Sequence, residues 1–146
     1  MDDIDINPKY IELELSETIA FQDNTIPMLR ALKNEGFSLS IDDFGTGYSS
    51  LSHLHRFEAN SLKIDRSFIY NMVDVSESLE IVKTIMLLAH NLNMDVIAEG
   101  IETTAQREQL RDMGCAYGQG YLFAKPLAAT QLKEILIKAA AGEGLL

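Results

Sequence analysis

The stretch that decides the fold is residues 40–51, Ser-Ile-Asp-Asp-Phe-Gly-Thr-Gly-Tyr-Ser-Ser-Leu. It continues an apolar run that begins at Phe37, and such a run predicts a buried strand. The adjacent acids Asp42 and Asp43 fall where that strand is expected to end. The glycines within residues 45–47 predict a tight loop, and the serines after them predict the start of a short helix. The stretch therefore predicts a strand, an acidic pair, a loop and a helix, in that order.

An acidic pair at the end of a buried strand requires compensation. Two carboxylates about 4 Å apart repel each other by roughly 4 kcal/mol at an effective dielectric constant near 20. Three arrangements relieve this repulsion: protonation of one acid, a basic side chain between them, or a divalent cation. A structural alternative is that Asp42 caps the turn while Asp43 points to solvent, because aspartate is common in turns.

The composition is that of an acidic globular chain. The 146 residues are 47% hydrophobic, which suffices for the packed core of one domain. The formal charge of -10, from 22 acidic and 12 basic residues, argues against binding of polymeric nucleic acid through a basic face. An acidic protein that handles a phosphate compound would need cations to do so.

The sequence also bears on where the chain works. It has no apolar run of about 18 residues that would predict a membrane span, and its amino terminus is acidic where a signal peptide is basic. Cys115 is the single cysteine, which excludes an internal disulfide and suits a reducing compartment. We therefore expect a cytoplasmic segment without direct membrane contact.

Predicted strands and helices alternate along the chain. The predicted strands cover residues 10–15, 37–42, 61–64, 94–98 and 115–118. The predicted helices run from a cap at Asp23 or Asn24 to Gly36, over 77–92, from the capping-box pair Thr103 and Gln106 to Gly114, and from about 126–130 to about 139. Short connections between such elements predict a parallel α/β sheet, either doubly wound or closed into a barrel.

Polar side chains fall on or just after successive predicted strands. They are Glu14, Asp42, Asp43, Lys63, Glu99 and Gln119. The carboxyl ends of parallel strands meet at one side of the molecule, so we expect these side chains to form one site. Several acids and one amine suit two hard cations and a water or phosphate oxygen. The alternative is a structural network of salt bridges in which Lys63 neutralises Asp42.

Five segments together resemble the EAL domains, bacterial phosphodiesterases for cyclic di-GMP. The segments are residues 13–17 (LELSE), 41–51 (IDDFGTGYSSL), 62–65 (LKID), 98–103 (AEGIET) and 119–123 (QGYLF) with Pro126. They follow the family's order and span almost the whole chain. Ser16 stands where the family usually has threonine. Glu12 competes with Glu14 for one position on the same strand face, and the motif favours Glu14.

The resemblance implies a (βα)8 TIM-type barrel that holds two Mg²⁺ or Mn²⁺ ions at the carboxyl ends of its strands. The implied metal ligands are Glu14, Asp42, Asp43 and Glu99, with Asp42 as the bridging ligand. The other implied site residues are Lys63, which would orient the attacking water, Gln119, which would hydrogen-bond in the same pocket, Glu17, which would brace the loop 44–50, and Glu102, which matches an acidic position of the motif. The implied reaction opens cyclic di-GMP to linear pGpG.

Two parts of the family pattern are absent from this sequence. The Glu-Ala-Leu signature that names the family does not occur, and neither does the asparagine-bearing strand that normally follows it. We therefore expect residues 1–146 to form the carboxyl-terminal portion of a single EAL domain, an incomplete barrel with about five strands. The tail from about residue 141 is expected to be flexible.

Two functions from different classes follow from these observations. In the first, the parent domain hydrolyses cyclic di-GMP, and the isolated 146-residue chain is weak or inactive because it lacks two ligand-bearing strands. In the second, the chain is a non-catalytic module that binds cyclic di-GMP or a protein partner. Every site residue that the chain is long enough to contain is present, which favours the enzyme.

An open parallel sheet leaves unpaired strand edges and an uncovered core. We therefore expect the chain to associate as a homodimer or as a strand-exchanged oligomer. Sedimentation should show a mass above that of one chain, and a compact, stable monomer in dilute solution would contradict this expectation.

Overall fold

The computed structural model describes residues 6–20, 22, 24–47, 54 and 58–141. Within these residues, five strands form one sheet: β1 (Glu12–Ser16), β2 (Ser38–Phe44), β3 (Ser61–Ile64), β4 (Asp95–Ala98) and β5 (Tyr117–Gly118). The spatial order of the strands equals their order in the chain, and every neighbouring pair is parallel. The predicted α/β class and parallel sheet are confirmed.

Helices connect the strands, as parallel pairing requires. They are α1 (Glu17–Ala20), α2 (Ile26–Asn34), α3 (Arg66–Asn71), α4 (Ser76–Asn91), α5 (Thr104–Asp112) and α6 (Ala129–Ala140). The capping box predicted at the start of α5 is confirmed, since Thr103 and Gln106 bond each other's backbone amides. None of the helices in the described part of the chain has both the length and the apolar character needed to cross a membrane.

Some predicted boundaries were wrong. The strand predicted from Tyr10 begins at Glu12, because Asn7 caps a 3-10 turn, Pro8–Tyr10, ahead of it. The predicted cap of α2 is also wrong at Asn24, since the residue before this helix is Thr25, whose side chain does not cap it. Three predicted features lie outside the described residues: the cap at Asp23, the tail after residue 141 and the helix after residue 50. Of that predicted helix, only the buried Leu54 is described.

The sheet has one apolar and one polar face, because successive side chains of a strand alternate in direction. Leu15, Ile41 and Leu62 lie side by side in the register of β1, β2 and β3. They belong to the core, together with Val82, Ile85 and Ala89 from one side of α4. The apolar face of the sheet is thus covered by helices. The polar residues that alternate with these apolar residues along the strands, among them Glu14 and Lys63, lie on the other face.

The carboxyl end of β2 departs from regular strand geometry. The register between β2 and β3 shifts between Ile41 and Phe44, which is the signature of a β-bulge. Asp43 lies within this bulge with φ of 52°, a left-handed conformation that aspartate tolerates better than most residues. The bulge breaks the alternation of side chains, so two consecutive acids reach the same site.

The chain segment after β4 packs closely against that after β5. Hydrogen bonds join the Ile101 amide to the Gln119 carbonyl at 3.0 Å and the Leu122 amide to the Ile101 carbonyl at 3.0 Å. A Cβ atom on Gly120 would lie 2.1 Å from the Ile101 carbonyl oxygen, so only glycine fits there. This close contact fixes the two segments that carry Glu99 and Gln119.

Helix α6 has no buried residue, and Leu132, Leu136 and Ile137 on it are exposed. The outer edges of β1 and β5 are likewise unpaired within the described residues. These surfaces are compatible with the expected association of the chain, which stays a prediction.

Candidate metal centre and its cleft

Lys63 lies at the centre of the site. Its side chain is only 5% exposed, and its Nζ lies 2.8 Å from Glu14 Oε1, 3.0 Å from Asp42 Oδ1 and 2.7 Å from Glu99 Oε1. These acids stand at the ends of β1, β2 and β4, and Lys63 comes from β3 between them. The sheet therefore brings four predicted site residues together. The alternative arrangement, Lys63 neutralising Asp42, is present in the chain without ions.

The three acids determine the charge state of Lys63. Burial alone would lower the pKa of the Lys63 ammonium, but its contacts with Glu14, Glu99 and Asp42 outweigh burial and raise that pKa above its usual value. The ammonium therefore stays protonated at neutral pH. In the chain without ions it can therefore donate hydrogen bonds to a water or a phosphate oxygen.

Two buried polar atoms lie in this region. The polar partner of Asp42 Oδ1 is the Lys63 ammonium at 3.0 Å, whereas the buried Ser40 hydroxyl has no hydrogen-bond partner among the described residues. A buried carboxylate oxygen without a partner would cost about 1 to 3 kcal/mol, so Asp42 Oδ1 depends on this ammonium. A coordinated cation could take the place of the ammonium at Asp42 Oδ1.

The spacing of the acids fits a hard divalent cation. Asp42, Asp43 and Glu99 each offer one oxygen, and these oxygens all lie within 4.8 Å of one another. Opposite ligands of Mg²⁺ or Ca²⁺ are about 4 to 5 Å apart, because each bond is about 2.0 to 2.6 Å long. Glu14 lies beside this cluster through its contact with Lys63. The four predicted ligands thus occur at one edge of the sheet.

Asp65 also belongs to this region, although sequence analysis placed it only at the end of a strand. Burial and the charges of Asp42 and Asp65 raise the pKa of the Asp43 carboxyl, which also hydrogen-bonds Asp65. Burial would raise the pKa of Asp65 too, but hydrogen bonds from the Ser67 hydroxyl and amide lower it. The rule that selected the other acids, a polar residue just after a strand, would also have selected Asp65.

The structure resolves the competition between Glu12 and Glu14. Both side chains project from the same face of β1, two residues apart. Glu14 contacts Lys63, whereas Glu12 Oε2 accepts a hydrogen bond of 2.8 Å from the Ser61 hydroxyl, farther from the strand ends. Glu14 is therefore the glutamate that lies at the candidate metal centre.

Two further predicted site residues, Gln119 and Glu17, lie next to the candidate metal centre. Gln119 Nε2 donates a hydrogen bond of 2.6 Å to Glu99 Oε1. Glu17 is buried, and its Oε2 accepts a long hydrogen bond of 3.4 Å from the Gly45 amide. A Cβ on Gly47 would lie 3.2 Å from the same Glu17 oxygen. Glu17 thus lies under the loop that it is predicted to brace, but residues 48–50 of that loop are outside the described part.

Glu102 does not join the acidic cluster among the described residues. It lines a neighbouring cleft of about 440 Å³ with Arg66, Gln119, Tyr121 and Lys125. Glu99 borders this cleft as well, so the cleft and the acidic cluster are continuous. A larger cleft of about 630 Å³, lined partly by Met86, Met94 and Met113, lies elsewhere and includes none of the predicted site residues.

Comparison with known proteins gives consistent matches. The model of the EAL domain family matches residues 2–126. The cyclic di-GMP phosphodiesterase NbdA of Pseudomonas aeruginosa is 46% identical over 129 residues, which are 87% of this chain and 16% of that protein. The chain therefore spans less than a fifth of the length of this curated relative.

Solved structures agree with the fold. The PaMucR phosphodiesterase in complex with c-di-GMP matches with a TM-score of 0.83 and 43% identity, over 87% of this chain and 52% of that chain. BlrP1 of Klebsiella pneumoniae, in complex with manganese and cy-diGMP, matches with a TM-score of 0.76 and 33% identity. The match covers 83% of this chain and 31% of the BlrP1 chain. With the parallel sheet, these matches confirm the predicted fold, an incomplete (βα)8 barrel.

Replacement of Lys63 by methionine should destabilise the chain when no divalent ion is present. The substitution keeps the length of the side chain but leaves three acids without a cation, and breaking such a buried pair costs about 3 kcal/mol. Urea unfolding measures the loss. A millimolar divalent ion should restore part of it by compensating the acids.

The matched control is Lys83→Met, which removes an exposed ion pair of 2.7 Å with Glu80. It should change the free energy of unfolding by less than about 1 kcal/mol. Equal losses for the two variants would show that Lys63 does not compensate the acids.

Replacement of Asp43 by asparagine should stabilise the chain without ions at neutral pH. The folded state raises the pKa of Asp43, so its ionised form opposes folding. Both the folded and the unfolded chain are protonated at this residue below the ordinary aspartate pKa of about 3.9. The gain in melting temperature should therefore be present at pH 7 and vanish as the pH falls toward that value. Asparagine also suits the left-handed backbone here.

The control for the change in net charge is Asp74→Asn, in an exposed turn outside the site. A gain for Asp43→Asn that matches this control, or that persists at pH 3, would contradict the assignment of repulsion to Asp43. With a saturating divalent ion, the order should reverse, because the unmodified chain retains the better ligand.

Proposed function

Because the chain belongs to the EAL domain family, we propose that the domain to which it contributes hydrolyses cyclic di-GMP to linear pGpG with two divalent ions, Mg²⁺ or Mn²⁺. The observation that carries this proposal is the cluster of Asp42, Asp43 and Glu99, whose oxygens lie within 4.8 Å of one another at the strand ends. The phosphodiesterase NbdA and the manganese complex of BlrP1 support the substrate and the cofactor.

The acids of the site would be the ligands of the divalent ions. Glu14, Asp42, Asp43 and Glu99 would hold the ions, and the family resemblance makes Asp42 the candidate for the ligand that both ions share. When bound, such ions lower the pKa of a coordinated water and stabilise charge on the entering and leaving oxygens.

Lys63 lies between the acids that would hold the ions, within 3.0 Å of three of them. From this position its ammonium would donate a hydrogen bond that orients the attacking water or a non-bridging phosphate oxygen. Gln119 would hold the Glu99 carboxylate in place through their 2.6 Å hydrogen bond. Glu17 would keep the loop that follows Asp43 in position, since it contacts Gly45 and Gly47.

The adjoining cleft would receive the nucleotide. Arg66 and Lys125 supply positive charge to an otherwise acidic region, and the Tyr121 ring offers an apolar face, with Lys125 Nζ 5.8 Å from its centroid. Glu102 lines the same cleft and would accept hydrogen bonds from the N–H groups of a guanine edge. The cleft is open to the metal centre through Glu99, so a phosphodiester could extend from one to the other.

A second candidate function is binding of cyclic di-GMP without hydrolysis. The observation that favours it is the Lys63 ion-pair network, which neutralises three acids without any metal. In that case the nucleotide should bind equally well with a chelator present. Binding that requires divalent ions would favour the enzyme.

The test of the proposed hydrolysis follows pGpG formation by chromatography, with Mn²⁺ or Mg²⁺ and cyclic di-GMP. A longer protein that carries this chain within an intact domain should turn over, and Asp42→Asn in it should abolish turnover, because the substitution removes the bridging carboxylate. The isolated 146 residues should be weak or inactive, since neither the Glu-Ala-Leu signature nor the asparagine-bearing strand occurs in them.

The control variant is Glu80→Gln, which removes an exposed carboxylate on α4 that forms an ion pair with Lys83. It should keep full turnover. An Asp42→Asn protein that hydrolyses the nucleotide at the normal rate would overturn the proposed mechanism, and rapid turnover by the isolated chain would show that further strands are dispensable.

A further inference from the structure

Gln106 is a buried amide whose hydrogen bonds reach two separate parts of the fold. Its side chain is 4% exposed. Its Oε1 accepts hydrogen bonds of 2.8 Å from the Glu102 amide and 2.9 Å from the Thr103 amide, as expected for a capping box. Its Nε2 donates a hydrogen bond of 3.2 Å to the Ile69 carbonyl, 37 residues away. Gln106 therefore makes one hydrogen bond, to Ile69, beyond those that cap α5.

The Ile69 carbonyl lies in the last turn of α3. The last four carbonyls of a helix have no amide donor within that helix, so in α3, which ends at Asn71, they need donors from other segments or from water. Gln106 supplies such a partner from the start of α5. It thereby ties the helix that follows β3 to the loop that follows β4.

These two segments are the walls of the cleft beside the metal centre. Arg66 is the first residue of α3, and Glu102 lies in the loop whose amide Gln106 holds. The walls already touch at one point, where a Cβ on Gly100 would lie 2.5 Å from Arg66 Cβ. The bond from Gln106 to Ile69 adds a second point of attachment at the other end of α3.

The position of Glu99 depends on different bonds. Its backbone amide donates to the Ile64 carbonyl at 3.2 Å, which continues the pairing of β3 with β4. Its side chain is held by Lys63 and Gln119. A change at Gln106 should therefore affect the cleft more than the acidic cluster.

We infer that Gln106 is a positioning residue that sets the separation of Arg66 and Glu102 across the nucleotide cleft. This inference rests on the proposed function, since it assigns the cleft to cyclic di-GMP. Gln106 does not touch the nucleotide. It acts by holding the two walls at a fixed distance through one amide group.

Gln106→Glu separates the two parts of this role. Glutamate at this position keeps the acceptor for the Glu102 and Thr103 amides, so the cap of α5 survives. It replaces the donor to the Ile69 carbonyl by an oxygen, so the link to α3 is lost.

Gln131 offers a matched control at the start of α6. Its Oε1 accepts a hydrogen bond of 3.2 Å from the Ala128 amide in an exposed cap. Gln131→Glu makes the same chemical change without a second anchor.

Three measurements test the inference, and the two binding measurements use the longer protein that carries this chain within an intact domain. Amide hydrogen exchange on the chain without ligand should be about fivefold faster at residues 100–103 in Gln106→Glu, because one anchoring bond is lost. The dissociation constant of cyclic di-GMP, measured by calorimetry with Ca²⁺ in place of the catalytic ion, should rise about fivefold. The dissociation constant of Mn²⁺ alone, measured by electron paramagnetic resonance, should stay within about twofold. Gln131→Glu should change none of these.

The outcomes separate the inference from the proposed function. If the longer protein binds cyclic di-GMP and its Gln106→Glu variant binds it equally well, the inference is overturned and the proposed function stands. Equal weakening of nucleotide and Mn²⁺ binding would also overturn the inference, because that is the effect of general destabilisation. If the longer protein binds Mn²⁺ but not cyclic di-GMP, the proposed function fails, and the role of Gln106 at a nucleotide cleft fails with it.

Discussion

The mutual repulsion of acids at the strand ends is the constraint on which the site depends. Four predicted ligands meet at one edge of the sheet, and without a cation they would oppose the fold that brings them together. Lys63 supplies that cation from the central strand, with Nζ within 3.0 Å of three carboxylates. Divalent ions would bind to acids that Lys63 already contacts. Ions held by these acids would take over part of the compensation that Lys63 provides, and the Lys63 ammonium would then be able to donate to water or phosphate.

The sequence contained enough information to locate most of this site. Glu14, Lys63 and Glu99 could be placed together because each lies on or just after a predicted strand, and parallel strands end on one side of a sheet. The capping box at Thr103 and Gln106 could also be predicted from the sequence, because its geometry depends only on residues close in the chain. Local patterns thus predicted both the elements and the edge at which their side chains converge.

The features that escaped prediction depend on contacts between distant segments. Asp42 and Asp43 were expected in one site, although periodicity alone assigns them to opposite faces; the bulge against β3 that brings both there was not predicted. The contact of Asp65 with Asp43 and the bond from Gln106 to Ile69 join residues 22 and 37 positions apart. The late start of the first strand had a local cause, a turn begun by Asn7 and Pro8, but alternation over residues 10–15 was the stronger signal.

The strand order of the sheet has a consequence for how the chain acquires its structure. Since each strand pairs with the next one in the sequence, the strand pairings are made between consecutive βα units. Each pairing joins residues 20 to 34 positions apart, because a parallel pair needs a crossover connection. When the sheet assembles in chain order, Glu14 of β1 and Asp42 of β2 come together before β3 adds Lys63, so the third strand relieves a repulsion that the first two create.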